Sequence, residues 1–128
     1  MSDAAATVGT CTVYEAIAWM IRKAGATRAF AVAGTNNYRI THALKQSGVQ
    51  IIAARHEGNA ASMAGAYARL SRTLGVLSVH AGPGLTNAIT GIGEAAKSGF
   101  GMIVLAGVSV GDTRCVDLQI GHADRSAA

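Results

Sequence analysis

The sequence predicts an α/β protein in which a parallel sheet carries helices on both faces, all within a single domain. Three observations lead there. Segments whose apolar residues recur at helical spacing alternate four times with short apolar runs, and only a few residues join one to the next. The chain has 128 residues, half of them hydrophobic and 14% charged, which is enough for one packed core and too little for two ordinary ones. Parallel strands need crossover connections, and a helix after each strand supplies them with the usual right-handed sense.

The elements follow in order. Thr12-Val-Tyr-Glu15 is a capping box: the Thr hydroxyl accepts the backbone N–H three residues on, and Glu15 reaches back to the Thr N–H. Val13, Ile17, Met20, Ile21 and Ala24 then share a face until Gly25, so a helix covers residues 13–24. Residues 29–32 read as a short buried strand. Ile40, Ala43 and Leu44 place a second helix over 38–47, stopped by Gly48, and 49–53 is the next strand. Ala60, Met63, Ala64, Tyr67 and Ala68 give a third helix over 57–70 whose small residues permit close packing. A strand at 75–79, a helix at 85–96 and a strand at 102–105 complete a core of about residues 13–107. Residues 108–128 read as a loop or a truncated tail, so the domain is expected to be incomplete at its C-terminal end.

Composition excludes several classes of function. The net charge of +4 is distributed as single Lys and Arg residues with few aromatics beside them, which does not make a nucleic-acid surface. Cys11 and Cys115 lie far apart without a CxxC pattern or partnering His, so neither a zinc site nor a disulfide framework is predicted, and a reducing cytoplasm is the expected location. The first ten residues lack the basic and apolar regions of a secretory signal. The apolar run from Met102 falls short of the roughly 20 residues that span a bilayer, so no membrane partner is expected.

In open parallel sheets ligands bind at the carboxyl ends of the strands. Three post-strand loops stand out there: Gly34-Thr-Asn-Asn37, Arg55-His-Glu-Gly58 and His80-Ala-Gly-Pro-Gly84. Taken alone, Gly82-Pro83-Gly84 is either a tight turn or an anion cradle at a helix start. Glu57, alone at the start of a helix, either complements the helix dipole or performs acid–base work.

The two blocks RHEGNAASMAGAYARL and GPGLTNAITGIGEA, in this order and at this separation, resemble the pyrimidine-binding (PYR) domain of thiamine diphosphate enzymes of the acetolactate synthase and pyruvate oxidase group. The resemblance implies that Glu57 hydrogen-bonds a ring nitrogen of the cofactor's aminopyrimidine and shares a proton with it, which promotes loss of the proton from C2 of the thiazolium. A carboxyl in an apolar pocket is disfavoured in its charged form and can both donate and accept, so one carboxyl suffices. It further implies that Gly82, Pro83, Gly84 and Asn87 line the aminopyrimidine. His80 stands where the acetolactate synthase pattern has Thr or Ser; it is similar to the benzoylformate decarboxylase branch, where a His relays protons to the substrate adduct. His56 reads as structural. Ala33 in place of Pro and Gly65-Ala66 in place of an acidic residue and Gly are further departures, and they bear on the substrate class.

The family holds the diphosphate and its Mg²⁺ in a separate PP domain through GDG followed downstream by NN. Gly111-Asp-Thr113 lacks the second Gly and Asn36-Asn37 precedes it, so neither is that site, and no residue of this chain is expected to bind the metal. The expected protein is the pyrimidine-binding part of an enzyme acting on small 2-oxo acids, most like the acetolactate synthase large subunit, which joins two pyruvates. A decarboxylase of the benzoylformate decarboxylase type and a non-catalytic dimerisation or regulatory module are the alternatives. A PP domain or subunit should complete the site, a homo-oligomer should form through the PYR helices, and the chain alone should be inactive.

Overall fold

The computed structural model describes residues 10–108. Four helices alternate with four strands: α1 (Val13–Lys23), β1 (Arg28–Ala31), α2 (Tyr38–Gln46), β2 (Gln50–Ala53), α3 (Glu57–Ser71), β3 (Gly75–Val79), α4 (Pro83–Lys97) and β4 (Met102–Ala106). The strands form one parallel sheet in the order β2-β1-β3-β4. The predicted fold class is therefore the observed one. The Gly111-Asp-Thr113 motif and Cys115 lie outside the described residues.

Alternation along the strands divides the core in two. Ala29 and Val76 face α1 and α2, where they meet Ala18, Ile21, Ala43 and Leu44. Their neighbours Phe30 and Leu77 face the other way, against Ala60, Ala61, Ala64 and Ala88 of α3 and α4. All of β3 is buried, as expected of a strand with a neighbour on each side and a helix layer on each face. At the edge, the apolar residues of β4 are only half-buried.

Local signals set the helix ends. Thr12 caps α1 with both bonds of the capping box, and the Thr12 backbone and hydroxyl bonds hold the Glu15 carboxyl below the usual carboxylate range. Gly25 and Gly48 follow α1 and α2 at φ 95° and 89°, conformations that suit glycine after a helix. α3 ends differently, at Arg72 in the left-handed region (φ 53°), which sequence patterning did not signal. Beside that end the Tyr67 hydroxyl bonds Thr27 at 2.8 Å, and this bond lowers its pKa. No helix among the described residues is long and apolar enough to cross a membrane.

Candidate functional site

The loops after β1, β2 and β3 meet at the carboxyl edge of the sheet. α3 starts at Glu57 because His56 caps it: the His56 backbone is extended and its Nδ1 accepts the Gly58 N–H at 3.1 Å. An imidazole thus supplies the acceptor that Ser, Thr or Asp usually provides at this position. The Glu57 carboxylate is then free to reach α4, where Asn87 Nδ2 donates to its Oε2 at 3.1 Å. The charge also sits in the first turn of α3, where the helix dipole favours an anion, so the dipole reading and the acid–base reading do not exclude each other.

α4 opens through Gly82 at φ 62°, ψ −114°, a conformation that side-chain-bearing residues avoid. Pro83 takes the first helical position, where a missing N–H removes no helix bond, and the Gly82 carbonyl accepts from Leu85 and Thr86 at 3.0 and 3.1 Å. The tripeptide is therefore a helix-opening turn. Its third residue has a further consequence. Gly84 is buried between the two candidate polar groups: a Cβ there would lie 3.1 Å from His80 Cβ and 3.5 Å from Glu57 Oε1. On the other side of His80, a Cβ on Gly34 would collide with the imidazole ring. His80 Nδ1 lies 3.0 Å from the Ala81 carbonyl oxygen; since a carbonyl only accepts, Nδ1 carries the proton in this arrangement.

The structure thus brings Glu57, Asn87, Gly84, His80 and Gly34 together, with Gly82 and an exposed Pro83 forming the adjoining turn. One expectation is modified. Glu57 is half-buried, with the Asn87 amide on one oxygen and Gly84 beside the other, so its surroundings within this chain include a polar partner as well as the expected burial.

Sequence reasoning missed the support beneath the first loop. Asn37 is fully buried, donates from Nδ2 to the Val32 carbonyl and to Ser78 Oγ, both at 3.0 Å, and accepts the Gly34 N–H at 2.8 Å. Thr41 Oγ1 donates to the Asn37 carbonyl at 2.8 Å and sits 2.9 Å from Ser78 Oγ. With the Thr41 proton committed to that carbonyl, Ser78 is the donor between the two hydroxyls. The available signal was Ser78 itself, a hydroxyl in an otherwise apolar buried strand that had to find a partner.

Comparison with known proteins places these features in a family. The family model for the thiamine pyrophosphate enzyme N-terminal TPP binding domain matches residues 11–114. A 2-hydroxyacyl-CoA lyase 2 from Danio rerio is 36% identical over 74% of this chain and 15% of its own length. An acetolactate synthase from Bacillus subtilis is 42% identical over 65% of this chain, again 15% of its own length, and a probable 2-ketoarginine decarboxylase from Pseudomonas aeruginosa is 33% identical over 78% of this chain and 18% of its own length. The chain therefore spans less than a fifth of these relatives. Its matched residues, its parallel sheet and its two sequence blocks agree: the chain belongs to the family of thiamine pyrophosphate enzyme N-terminal, TPP-binding domains.

Proposed function

We propose that this chain is the pyrimidine-binding part of a thiamine diphosphate enzyme acting on 2-oxo acids, with carboligation of the acetolactate synthase kind as its reaction. The observation that carries the reading is the Glu57 carboxylate, tethered through one oxygen to Asn87 and with the other beside the side-chain-free Gly84. Residues and cofactor fit each other. Asn87 engages Oε2, and any side chain at the buried Gly84 would crowd both His80 and Oε1, so glycine there keeps Oε1 clear to meet a ring nitrogen.

In this reading Glu57 holds a proton at a ring nitrogen of the aminopyrimidine and passes it back and forth, while Gly82, Pro83 and Gly84 shape the wall beside the ring. Bound thiamine diphosphate supplies the nucleophilic carbon that attacks the 2-oxo acid carbonyl. The diphosphate and Mg²⁺ are assigned to a PP domain outside this chain, and oligomer formation to α3 and α4, where Met63, Leu70 and Ile89 are exposed. His80 favours a second reading, a 2-oxo acid decarboxylase. Its imidazole lies at the same edge, against Gly34 and with Nδ1 bonded to the Ala81 carbonyl, and imidazole is the side chain that relays protons near neutral pH.

Glu57→Gln in the holoenzyme tests the proposal, since the amide keeps the shape of the carboxyl and cannot move the proton. Cofactor occupancy should persist while C2–H exchange of the bound cofactor, followed by NMR after acid quench, slows by roughly 10² to 10⁴. Unchanged exchange would leave Glu57 as a helix-dipole residue and favour the non-catalytic module. Product analysis on pyruvate separates the other two readings, giving acetolactate for the carboligase and acetaldehyde for the decarboxylase.

A further inference from the structure

The contact between Asn87 and Glu57 distinguishes the two oxygens of one carboxylate. Oε2 accepts from the Asn87 amide at 3.1 Å, and Oε1 is the oxygen beside Gly84. An amide nitrogen only donates, and the carbonyl oxygen of a carboxyl accepts more strongly than its hydroxyl oxygen, so while the bond persists it favours Oε1 as the oxygen that carries a proton. The backbone keeps the pair in register. A Cβ on Gly58, the residue after Glu57, would lie 3.2 Å from the Asn87 carbonyl oxygen, so the first turn of α3 already touches α4 at Asn87. The Glu57 carboxylate is not needed as the acceptor for the Gly58 N–H, because His56 Nδ1 takes that bond.

We infer that Asn87 is a positioning residue: it acts on the cofactor through Glu57, biasing the exchangeable proton toward Oε1 and holding that oxygen on the Gly84 side. This rests on the proposed role of Glu57 and replaces the expectation that Asn87 merely lines the cofactor ring. A hydrogen bond to a charged group, lost from a positioned carboxylate, corresponds to about a ten- to hundredfold change in the step it serves.

Two measurements test it separately. In the 128-residue chain without cofactor, the side-chain amide resonances of Asn87 should move with pH along a single-site curve, and Glu57→Gln should abolish that movement. Resonances that ignore pH, or that titrate unchanged in Glu57→Gln, would overturn the inference whatever the enzyme does. In the holoenzyme, Asn87→Ala and Asn87→Asp should both slow C2–H exchange about ten- to hundredfold with cofactor affinity nearly kept. Asn87→Asp keeps the volume, removes the donor and sets a second carboxylate against Glu57, so it should slow exchange at least as much as Asn87→Ala, whereas a role in packing alone would spare it. Normal exchange in Asn87→Asp, or loss of cofactor binding in both variants, would make Asn87 a filler or a direct cofactor contact. If Glu57→Gln exchanges normally while the amide titration holds, the proposed function fails and the Asn87–Glu57 coupling stands.

Discussion

Asn37 shows what a single buried side chain contributes to this edge. All of its side-chain donors and its acceptor oxygen are engaged, and its partners belong to the end of β1, the loop behind it and the middle of β3. Asn37→Ala would strand the Gly34 N–H and leave the Val32 carbonyl and Ser78 hydroxyl short of a donor in a site without solvent. Stranded buried groups cost more than the net worth of a bond, so urea unfolding should show a loss of roughly 2–4 kcal/mol. Asn37→Asp keeps the acceptor for Gly34 but sets an unpaired buried carboxylate against the Val32 carbonyl, and should destabilise at neutral pH at least as much as the alanine. Sequence patterning showed a polar loop after Gly34 but could not identify which of two adjacent Asn residues turns inward. That choice depends on Ser78, which is 41 positions away.

At the scale of elements, patterning succeeded wherever the cause was local. The capping box at Thr12, the glycines after α1 and α2 and the short apolar runs of β1 and β3 each set a boundary or an element through near neighbours in the chain. It gave no strand order, because the apolar face of a helix does not say which strand lies beneath it, and it did not pair Asn87 with Glu57. That pairing depends on the seam between α3 and α4. There a Cβ on Gly91 would lie 2.6 Å from Ala61 Cβ and 2.9 Å from the Ser62 nitrogen. Gly91→Ala must therefore push the helices apart, with a loss of about 1–3 kcal/mol expected from overpacking. The same shift should weaken the coupling between Glu57 and Asn87, read from the Asn87 side-chain amide. The start of α1 should respond to acid. The folded-state pKa of Glu15 is depressed, so its contribution to stability is complete above the unfolded carboxyl value and is lost as pH falls through the lower folded one. Thermal unfolding should therefore show an acid-side decline that shrinks in Thr12→Ala, which removes the hydroxyl partner of Glu15 while leaving the backbone bond.

The whole molecule divides the labour between its two faces. α3 and α4 bring Glu57 and Asn87 to the edge, while the loop anchored through Thr41 and Ser78 on the α2 side brings Gly34 against His80. None of these groups offers a charge-assisted grip on a diphosphate, and the chain matches only 15–18% of the length of the relatives named above. Calorimetric titration of the isolated chain with thiamine diphosphate and Mg²⁺ should show no micromolar binding; a saturable micromolar site would put the diphosphate anchor within these residues. The contact between Gly34 and His80 also bears on how this chain can be recombined with its relatives. The two positions are shaped as bump and hole, each belonging to a different βα unit, so a chimera with its breakpoint between them separates the pair. A donor sequence carrying any side chain at position 34 would be compatible only with a smaller residue than His at position 80, and libraries at this edge should vary the two positions together.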